Sequence, residues 1–270
     1  MELTQLIGFA LAVLVGVSLG LIGSGGSILT VPILVYVMGV SPVLATAYSL
    51  FIVGATALVG GVQNALLKKV DFRTVLVFGI PSIAGVYATR SYILPRIPEE
   101  IVTLGHFVVT KSIALMVLFA VVMLLASFSM IRPSRQAIEE STQIKFNYPL
   151  ILIEGILVGI LTGLVGAGGG FLIIPALVLL AKMPMKLAVG TSLFIIAAKS
   201  LIGFTGDMQH MPNIDYSFML LFTLFSLIGI VIGIRLSKHI SGAKLKTGFG
   251  WFVLVMGVYI ILKELFLSQS

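Results

Sequence analysis

The stretch GLIGSGGSILTVP at residues 20–32 occurs again in similar form, as GLVGAGGGFLIIP at residues 163–175, which is 143 positions further along the chain. Each copy places a cluster of glycines inside an otherwise apolar segment. Glycine adopts backbone conformations that other residues avoid, so such a cluster predicts a tight reversal of the chain. Two such reversals at a constant offset indicate that the chain is built from two related halves.

The composition indicates a membrane protein. Of the 270 residues, 59% are hydrophobic and 10% are charged, and the mean hydropathy is +1.17. A soluble domain carries about a quarter charged residues, and several apolar runs approach the roughly 20 residues that cross a bilayer as a helix. We therefore predict an all-α polytopic protein whose partner is the lipid bilayer. Basic membrane loops explain the net charge of +7 without nucleic-acid binding.

The likeness of the two halves extends beyond the glycines. The sequence SLFI occurs at residues 49–52 and again at residues 192–195, and Asp71 corresponds to Asp215 if one residue is inserted. Small residues recur at every fourth position in both halves, which predicts helix faces that allow close approach of another helix. These positions are Ala12, Gly16 and Gly20 in the first half, and Gly155, Gly159 and Gly163 in the second.

Each half is predicted to contain one helical hairpin and three transmembrane helices, with a polar linker at residues 132–147 between the halves. In the first repeat, residues 1–131, the predicted elements are the hairpin 3–38 and the helices 43–66, 74–94 and 101–131. In the second repeat, residues 148–270, they are the hairpin 148–181 and the helices 185–205, 216–234 and 247–267.

The distribution of basic residues decides the predicted topology, because lysine and arginine gather on the cytoplasmic side. If each glycine-containing element crosses the membrane fully, the basic loop residues divide seven against eight. If each element instead enters and leaves on one side, twelve lie inside and only Arg90, Arg96 and Lys263 lie outside. This second arrangement is favoured. It inverts the second half relative to the first and places both termini on the non-cytoplasmic side.

The hairpins are predicted to be re-entrant and to reach about half the depth of the membrane. Residues 171–181 would form a helix of roughly 16 Å, about half of the hydrocarbon thickness. Short helices that begin near Ile28 and Phe171 would leave unpaired N–H groups at the positive end of the helix dipole, which favours an anion. Two such helix ends that face each other near the midplane are typical of secondary transporters.

The expected binding residues lie mainly at the two glycine tips, although close helix packing is the alternative role of these glycines. They are Gly23, Ser24, Gly25, Gly26, Ser27, Gly166, Ala167, Gly168, Gly169 and Gly170. The hydroxyls of Ser49, Thr191 and Ser192 are further candidates, or else they bond carbonyls of their own helices. Lys199 either faces the anion or extends to the membrane surface, and the same alternatives apply to Lys111.

Several other polar residues have two alternative roles. Gln63, Asn64 and Asp207 lie at the ends of the helices after each hairpin, where they either gate the pathway or cap the helix. Glu154 is either a proton-coupling group or a carboxylate exposed to water. The histidines show no metal-ligand spacing, and the chain contains no cysteine. We therefore expect neither a metal site nor a cofactor.

The two glycine–proline stretches, together with GTSLFIIAAKSLIGFTGD at residues 190–207, resemble the TauE/SafE sulfite-exporter family over nearly the whole chain. The resemblance implies a bacterial-type inner-membrane transporter of sulfite, sulfoacetate or related sulfonates. Family members differ in substrate and direction, so a small sulfur-containing anion is the expected substrate. Ser27 replaces the glycine found at the equivalent position of the second half, and it adds a hydroxyl donor.

Two other functions compete with transport. A passive anion channel would have the same architecture. An intramembrane serine protease would use Ser24 as nucleophile and His106 as base, yet the second tip has Ala167 in place of Ser24. A nucleophile also needs its base within hydrogen-bond reach, and no feature places His106 there. We therefore expect a transporter and no enzyme.

Overall fold

The computed structural model of the chain describes residues 3–23, 26–104, 107–131, 148–179, 183–211, 214–237 and 242–264. The helices are α1 (Leu3–Ile22), α2 (Ser27–Pro32), α3 (Pro42–Leu66), α4 (Phe72–Ala88), α5 (Lys111–Ile131), α6 (Tyr148–Val165), α7 (Gly170–Leu179), α8 (Met185–Met208), α9 (Tyr216–Leu236) and α10 (Gly242–Leu262). Two of them continue as π-helical turns, α2 through Ile33–Val37 and α4 through Thr89–Ile93. A short 3-10 helix, Leu94–Arg96, follows the second turn.

The helices confirm the predicted all-α polytopic fold. Within the described ranges, six helices are long and apolar enough to cross a membrane, namely α1, α3, α4, α5, α8 and α9. Three shorter apolar helices accompany them, at Ser27–Val37, Ile151–Val165 and Gly250–Leu262. Side chains from both halves of the chain form one buried apolar core.

Two β-strands, and not a helix, occupy residues 101–104 and 107–110 of the predicted helix 101–131. Strands β1 (Glu100–Leu104) and β2 (Phe107–Thr110) pair antiparallel, and α5 begins only at Lys111. This segment is rich in valine, isoleucine and threonine, whose branched Cβ atoms favour extended backbone. Hydropathy does not detect that preference, so the prediction was wrong here. The predicted linker 132–147 lies outside the described residues.

Each glycine stretch joins a long helix to a short one. The first arms, α1 and α6, have 20 and 18 residues, whereas the second arms, Ser27–Val37 and α7, have 11 and 10. A helix of 20 residues is about 30 Å long, so α1 is itself long enough to span a membrane. Only the second arms have the half-depth length that the sequence predicts. The depth of the tips in the membrane stays a prediction.

Helices α3 and α8 occupy equivalent positions in the two halves, and they pack against each other in opposite directions. A Cβ atom added to Gly54 would lie 2.9 Å from the side chain of Leu201, and one added to Gly61 would lie 3.0 Å from the ring of Phe194. Positions further along α3 therefore meet earlier positions of α8. The two helices run antiparallel along their contact.

The second pair of equivalent helices, α5 and α10, is also antiparallel. Gly250 lies against Met130, and Gly257 lies against Leu124. The other principal contacts come in matched pairs, because α1 packs on α9 while α6 packs on α4. The pattern of contacts is thus preserved when the two halves are exchanged.

The glycines at four-residue spacing form the close contacts that the sequence predicts. On α6, a Cβ atom added to Gly155 would lie 2.8 Å from Pro81 of α4, and one added to Gly163 would lie 2.7 Å from Thr89. On α1, a Cβ atom added to Gly20 would lie 2.6 Å from the carbonyl oxygen of Ile230 on α9. The first arm of each hairpin is therefore held against a helix of the other half.

One end of the bundle, here called the basic end, carries a cluster of exposed basic side chains. They are Lys68, Lys69, Arg73, Lys186 and Arg235. The end of α3, the start of α4 and the start of α8 meet there, since the Asp71 N–H donates a 3.0 Å hydrogen bond to the Thr191 hydroxyl. All five residues are among the twelve that the sequence assigns to the cytoplasmic side.

The opposite end of the bundle contains the starts of α1, α3 and α9. The Asp215 N–H donates a 2.7 Å hydrogen bond to the Tyr48 hydroxyl there. Lys263 Nζ lies 4.3 Å from the centre of the Tyr36 ring, which brings the end of α10 to the same end. The first and last helices of the described ranges therefore begin and finish at the end that lies away from the basic cluster.

Candidate functional site

The tip of the second hairpin is a buried reversal made almost entirely of glycine. Gly166, Gly168 and Gly169 have φ angles of +74°, +63° and +64°, in the left-handed region that glycine adopts without steric cost. Ala167 and Gly170 are buried beside them. The N–H groups of Leu172 and Ile173, in the first turn of α7, both donate to the Gly169 carbonyl oxygen at 3.1 Å. The short helix α7 thus begins inside the protein.

The first tip is described only in part. Gly23 has a φ of +78°. It lies against Val189 of α8, because a Cβ atom added to Gly23 would be 3.2 Å from the Cβ atom of Val189. Gly26 and Ser27 are buried at the start of α2. Ser24 and Gly25 lie outside the described residues, as does His106 of the protease hypothesis.

Helix α3 presents a face to the second tip. A Cβ atom added to Gly166 would lie 2.6 Å from the Thr46 carbonyl oxygen, and one added to Gly168 would lie 2.7 Å from Val53. Ser49 lies between Thr46 and Val53 on that face, because residues three and four apart are neighbours along a helix. Its hydroxyl is fully buried and has no hydrogen-bond partner. The predicted donor role of Ser49 is thus compatible with its surroundings.

Lys199 of α8 points its ammonium group at the same tip. Its Nζ donates a 3.1 Å hydrogen bond to the Thr162 hydroxyl of α6, and a Cβ atom added to Gly169 would lie 2.7 Å from Nζ. The residue is 0% exposed. Among the described residues, no carboxylate forms an ion pair with it. Of the two alternatives for Lys199, extension to the membrane surface is wrong.

Two further polar side chains at the tip were missed by the sequence analysis. The Ser200 hydroxyl is buried without a hydrogen-bond partner, 3.4 Å from the position of a Cβ atom on Gly168. Thr162 is the hydrogen-bond acceptor of Lys199. The signal was available, because both are polar residues inside apolar segments close to residues already singled out.

Among the residues that the structure describes, the lysine at this level of the site comes from the second half alone. At the offset of 143 residues, the counterpart of Lys199 is Thr56, whose hydroxyl donates a 2.6 Å hydrogen bond to Ile52 of its own helix. Both residues lie near the crossing of α3 and α8, where Gly54 meets Leu201. The charge of the site therefore comes from one half of the chain only, although the site lies close to the crossing of two equivalent helices.

Two of the predicted hydroxyl donors have other partners. Thr191 accepts the hydrogen bond from the Asp71 N–H at the basic end, so it stabilises the start of α4. Ser192 donates a 2.8 Å hydrogen bond to the Val189 carbonyl oxygen of its own helix. It is close to the first tip, since Val189 lies against Gly23, but its hydroxyl already has this partner. For both residues, the structure favours the structural alternative over the binding role.

The three residues considered for gating have different surroundings. Asn64 donates a 2.9 Å hydrogen bond to the Gly60 carbonyl oxygen of its own helix, and Gln63 is half-buried beside it. Asp207 is buried and lies 3.2 Å from Nη1 of Arg90. The count of basic residues places Arg90 on the outer side without giving it a role, and its side chain is 0% exposed in this pair.

Lys111 and Glu154 are the two other charged candidates. Lys111 begins α5, and its Nζ lies 4.0 Å from Glu99, which is mostly exposed, so it marks an outer edge of the bundle. Glu154 is half-buried on α6 with one carboxylate oxygen unpartnered. Within the described ranges, no cluster of His, Asp or Glu residues is arranged to hold a metal ion.

The chain is similar to proteins of known family. The profile of the sulfite exporter TauE/SafE family matches residues 8–260. A probable membrane transporter protein of Xylella fastidiosa (strain 9a5c) is 30% identical over 254 residues, which cover 92% of this chain and 91% of that protein. The probable membrane transporter protein YunE of Bacillus subtilis is 29% identical over 270 residues, with 94% and 95% covered. No solved structure matches the chain significantly.

Six long apolar helices in the described ranges and relatives named as probable membrane transporters define a multi-pass membrane transporter. A relative from Methanocaldococcus jannaschii with the same description is 24% identical and covers 97% of this chain. The chain belongs to the sulfite exporter TauE/SafE family.

Proposed function

We propose that this protein is a secondary transporter of small sulfur-containing anions, such as sulfite, sulfoacetate or related sulfonates. The observation that carries the proposal is the buried ammonium of Lys199 beside the glycine tip. An ammonium has three N–H donors, and a neutral hydroxyl, that of Thr162, accepts from it. A buried ion without a counter-ion costs several kcal/mol, by order of magnitude. An anion bound at the tip would supply that counter-ion.

The class of ligand follows from the donors around Lys199. The unpartnered hydroxyls of Ser49 and Ser200 flank the tip, and α7 begins there with the positive end of its dipole. A compact anion with several acceptor oxygens, as in a sulfite or sulfonate group, matches a cation surrounded by donors on several sides. The family to which the chain belongs is described as sulfite exporters, and that description supports the same choice.

We infer that the two halves are inverted relative to each other in the inner membrane. Equivalent helices that pack antiparallel, as α3 and α8 do, are the expected result of such an inversion. The basic end would face the cytoplasm, and both termini would lie on the other side. The two hairpins would then enter as re-entrant elements from opposite sides, and movement of one half against the other would expose the site alternately.

The test is a flux assay in proteoliposomes with radiolabelled sulfite, thiosulfate, sulfoacetate, taurine and sulfate. We expect saturable uptake of at least one of these anions, accelerated by the same anion preloaded inside. Replacement of Lys199 with methionine should abolish the uptake, whereas Lys111→Met, at a buried lysine far from the tips, should retain it. Equal uptake by wild type and Lys199→Met would contradict the proposed site. Flux that neither saturates nor responds to preloaded anion would indicate a passive channel.

A further inference from the structure

Arg90 is a second cation buried within a membrane helix, and it lies nearer than Lys199 to the opposite end of the bundle. It belongs to the π-helical turn Thr89–Ile93 that follows α4. Turns of this kind occur frequently at functional sites, and a charged residue inside a membrane segment is a functional candidate by default. Its guanidinium contacts Thr46, which is in the second turn of α3.

The guanidinium uses only one of its three nitrogens for the contacts around it. Nη1 donates to the Thr46 hydroxyl at 3.1 Å and to Oδ1 of Asp207 at 3.2 Å. Nε and Nη2 of Arg90 are buried without a hydrogen-bond partner, and so is Oδ2 of Asp207. Nε and Nη2 form the edge through which arginine binds an oxyanion with two parallel hydrogen bonds.

A purely structural ion pair does not explain this arrangement well. Buried charges are costly unless the remaining donors and acceptors are also satisfied. Here the edge with the best geometry for a carboxylate is unused, although Asp207 is next to it. The unused edge is suited to a second oxyanion, which would compete with Asp207 for the guanidinium.

The position of Arg90 connects it with the glycine tip. The Thr46 hydroxyl accepts from Arg90, and the backbone of Thr46 packs directly against Gly166. Lys199 and Asp207 are on the same helix, α8, eight residues apart, which corresponds to roughly 12 Å along its axis. A series of contacts therefore runs from Arg90 through Thr46 and the tip to Lys199.

The pair has no counterpart in the other half. The position equivalent to Asp207 is Asn64, which bonds to its own helix. With the single-residue insertion, the position equivalent to Arg90 is the apolar residue Ile234. An opening controlled by this ion pair would thus be confined to one end of the bundle, which is the end away from the basic cluster.

We propose that Arg90 is a second anion-binding residue of the transport pathway and that Asp207 closes the pathway at this end by occupying it. The incoming oxyanion binds the Nε–Nη2 edge and displaces the Asp207 carboxylate, after which it moves on to Lys199. The substrate class rests on the proposed function, whereas the closure by the ion pair does not.

The first experiment compares anion uptake by Asp207→Asn and by the double variant Arg90→Gln/Asp207→Asn. Asp207→Asn removes the competing carboxylate, so the KM for the transported anion should fall several-fold. The double variant keeps a neutral hydrogen-bonding pair of similar shape but lacks the guanidinium. Its KM should rise about tenfold or more above that of Asp207→Asn, because a buried charged contact is lost. If Arg90 only stabilises the fold, the double variant would have the same KM as Asp207→Asn, which would overturn the proposal.

The second experiment measures closure without any substrate. Because the chain has no cysteine, Ser49→Cys provides a single reporter one turn deeper than Thr46. A membrane-impermeant maleimide added from the side opposite the basic end should label this reporter slowly. Asp207→Asn should raise the labelling rate at least several-fold, whereas Asp215→Asn, at an exposed carboxylate of the same end, should not. Unchanged labelling in Asp207→Asn would overturn the gate. Increased labelling in a protein that transports none of the anions would leave the gate intact and refute the proposed function.

Discussion

The ammonium nitrogen of Lys199 lies 3.1 Å from the hydroxyl oxygen of Thr162, and this contact joins the middle of α8 to the last turn of α6. The lysine therefore does not extend toward a membrane surface. It is held beside the reversal that begins at Gly166, where an anion would meet both the cation and the start of α7.

Gly169→Ala is expected to abolish anion uptake. The residue has a φ of +64°, and an added Cβ atom would clash with Thr162 and lie 2.7 Å from Lys199 Nζ. Gly39→Ala is the matched control, because Gly39 has a φ of +70° but no atom within 4 Å of the added Cβ. The two variants share the backbone strain and differ in the contacts at the tip. Equal uptake by both, at equal amounts of inserted protein, would rule out the tip as the binding site.

Thr162→Val is expected to raise the KM for the transported anion while the protein still inserts. Valine has nearly the shape of threonine but removes the hydroxyl that accepts from Lys199. The hydrogen bond to Thr162 holds Lys199 beside the tip, and a hydrogen bond to a charged group contributes about 1.5–3 kcal/mol. Its loss should therefore raise the KM about tenfold. Thr223→Val is the control, because the buried Thr223 hydroxyl bonds the Met219 carbonyl of its own helix. A KM that changes equally in both variants would mean that Thr162 has no specific role.

Single cysteines at Ser41 and Lys186 should react from opposite sides of the membrane. Both side chains are exposed, Ser41 before α3 and Lys186 at the start of α8. In the proposed topology, Lys186→Cys is labelled from the cytoplasm and Ser41→Cys from the other side. Lys68→Cys serves as a second marker of the basic end. Labelling of Ser41→Cys and Lys186→Cys from the same side by an impermeant maleimide would refute the inversion of the two halves.

Gly159→Ala is expected to destabilise the folded protein. An added Cβ atom would clash with the Ser82 carbonyl oxygen and lie 3.0 Å from Gly85, so α4 and α6 would have to separate. Overpacking of this kind costs about 1–3 kcal/mol, which corresponds to a Tm lower by roughly 2–10 °C. The measurement is the thermal unfolding of detergent-solubilised protein. Gly248→Ala in α10, with no atom near the added Cβ, should unfold at the wild-type temperature; an equal decrease in both variants would exclude a packing effect.

Part of the candidate site was accessible to sequence reasoning. The glycine tips were predicted because a duplicated cluster of glycines within apolar sequence has few other uses, and Lys199 was predicted because a charge inside a membrane helix is costly. Arg90 was missed because it lies near the end of an apolar segment, where a basic residue usually marks a loop. Its burial depends on Thr46 and Asp207, which are 44 and 117 residues away in the chain.

The sequence by itself determined the class of fold, the duplication and the positions of the reversals, because hydropathy and glycine content act locally and are repeated at a constant offset. It also determined which basic residues cluster at one end. Only the tertiary structure decided which polar groups meet inside the protein: Lys199 with Thr162, and Arg90 with Asp207. Such contacts depend on how helices from the two halves pack side by side. That packing sets the distance and orientation of side chains far apart in the chain, which no local pattern specifies.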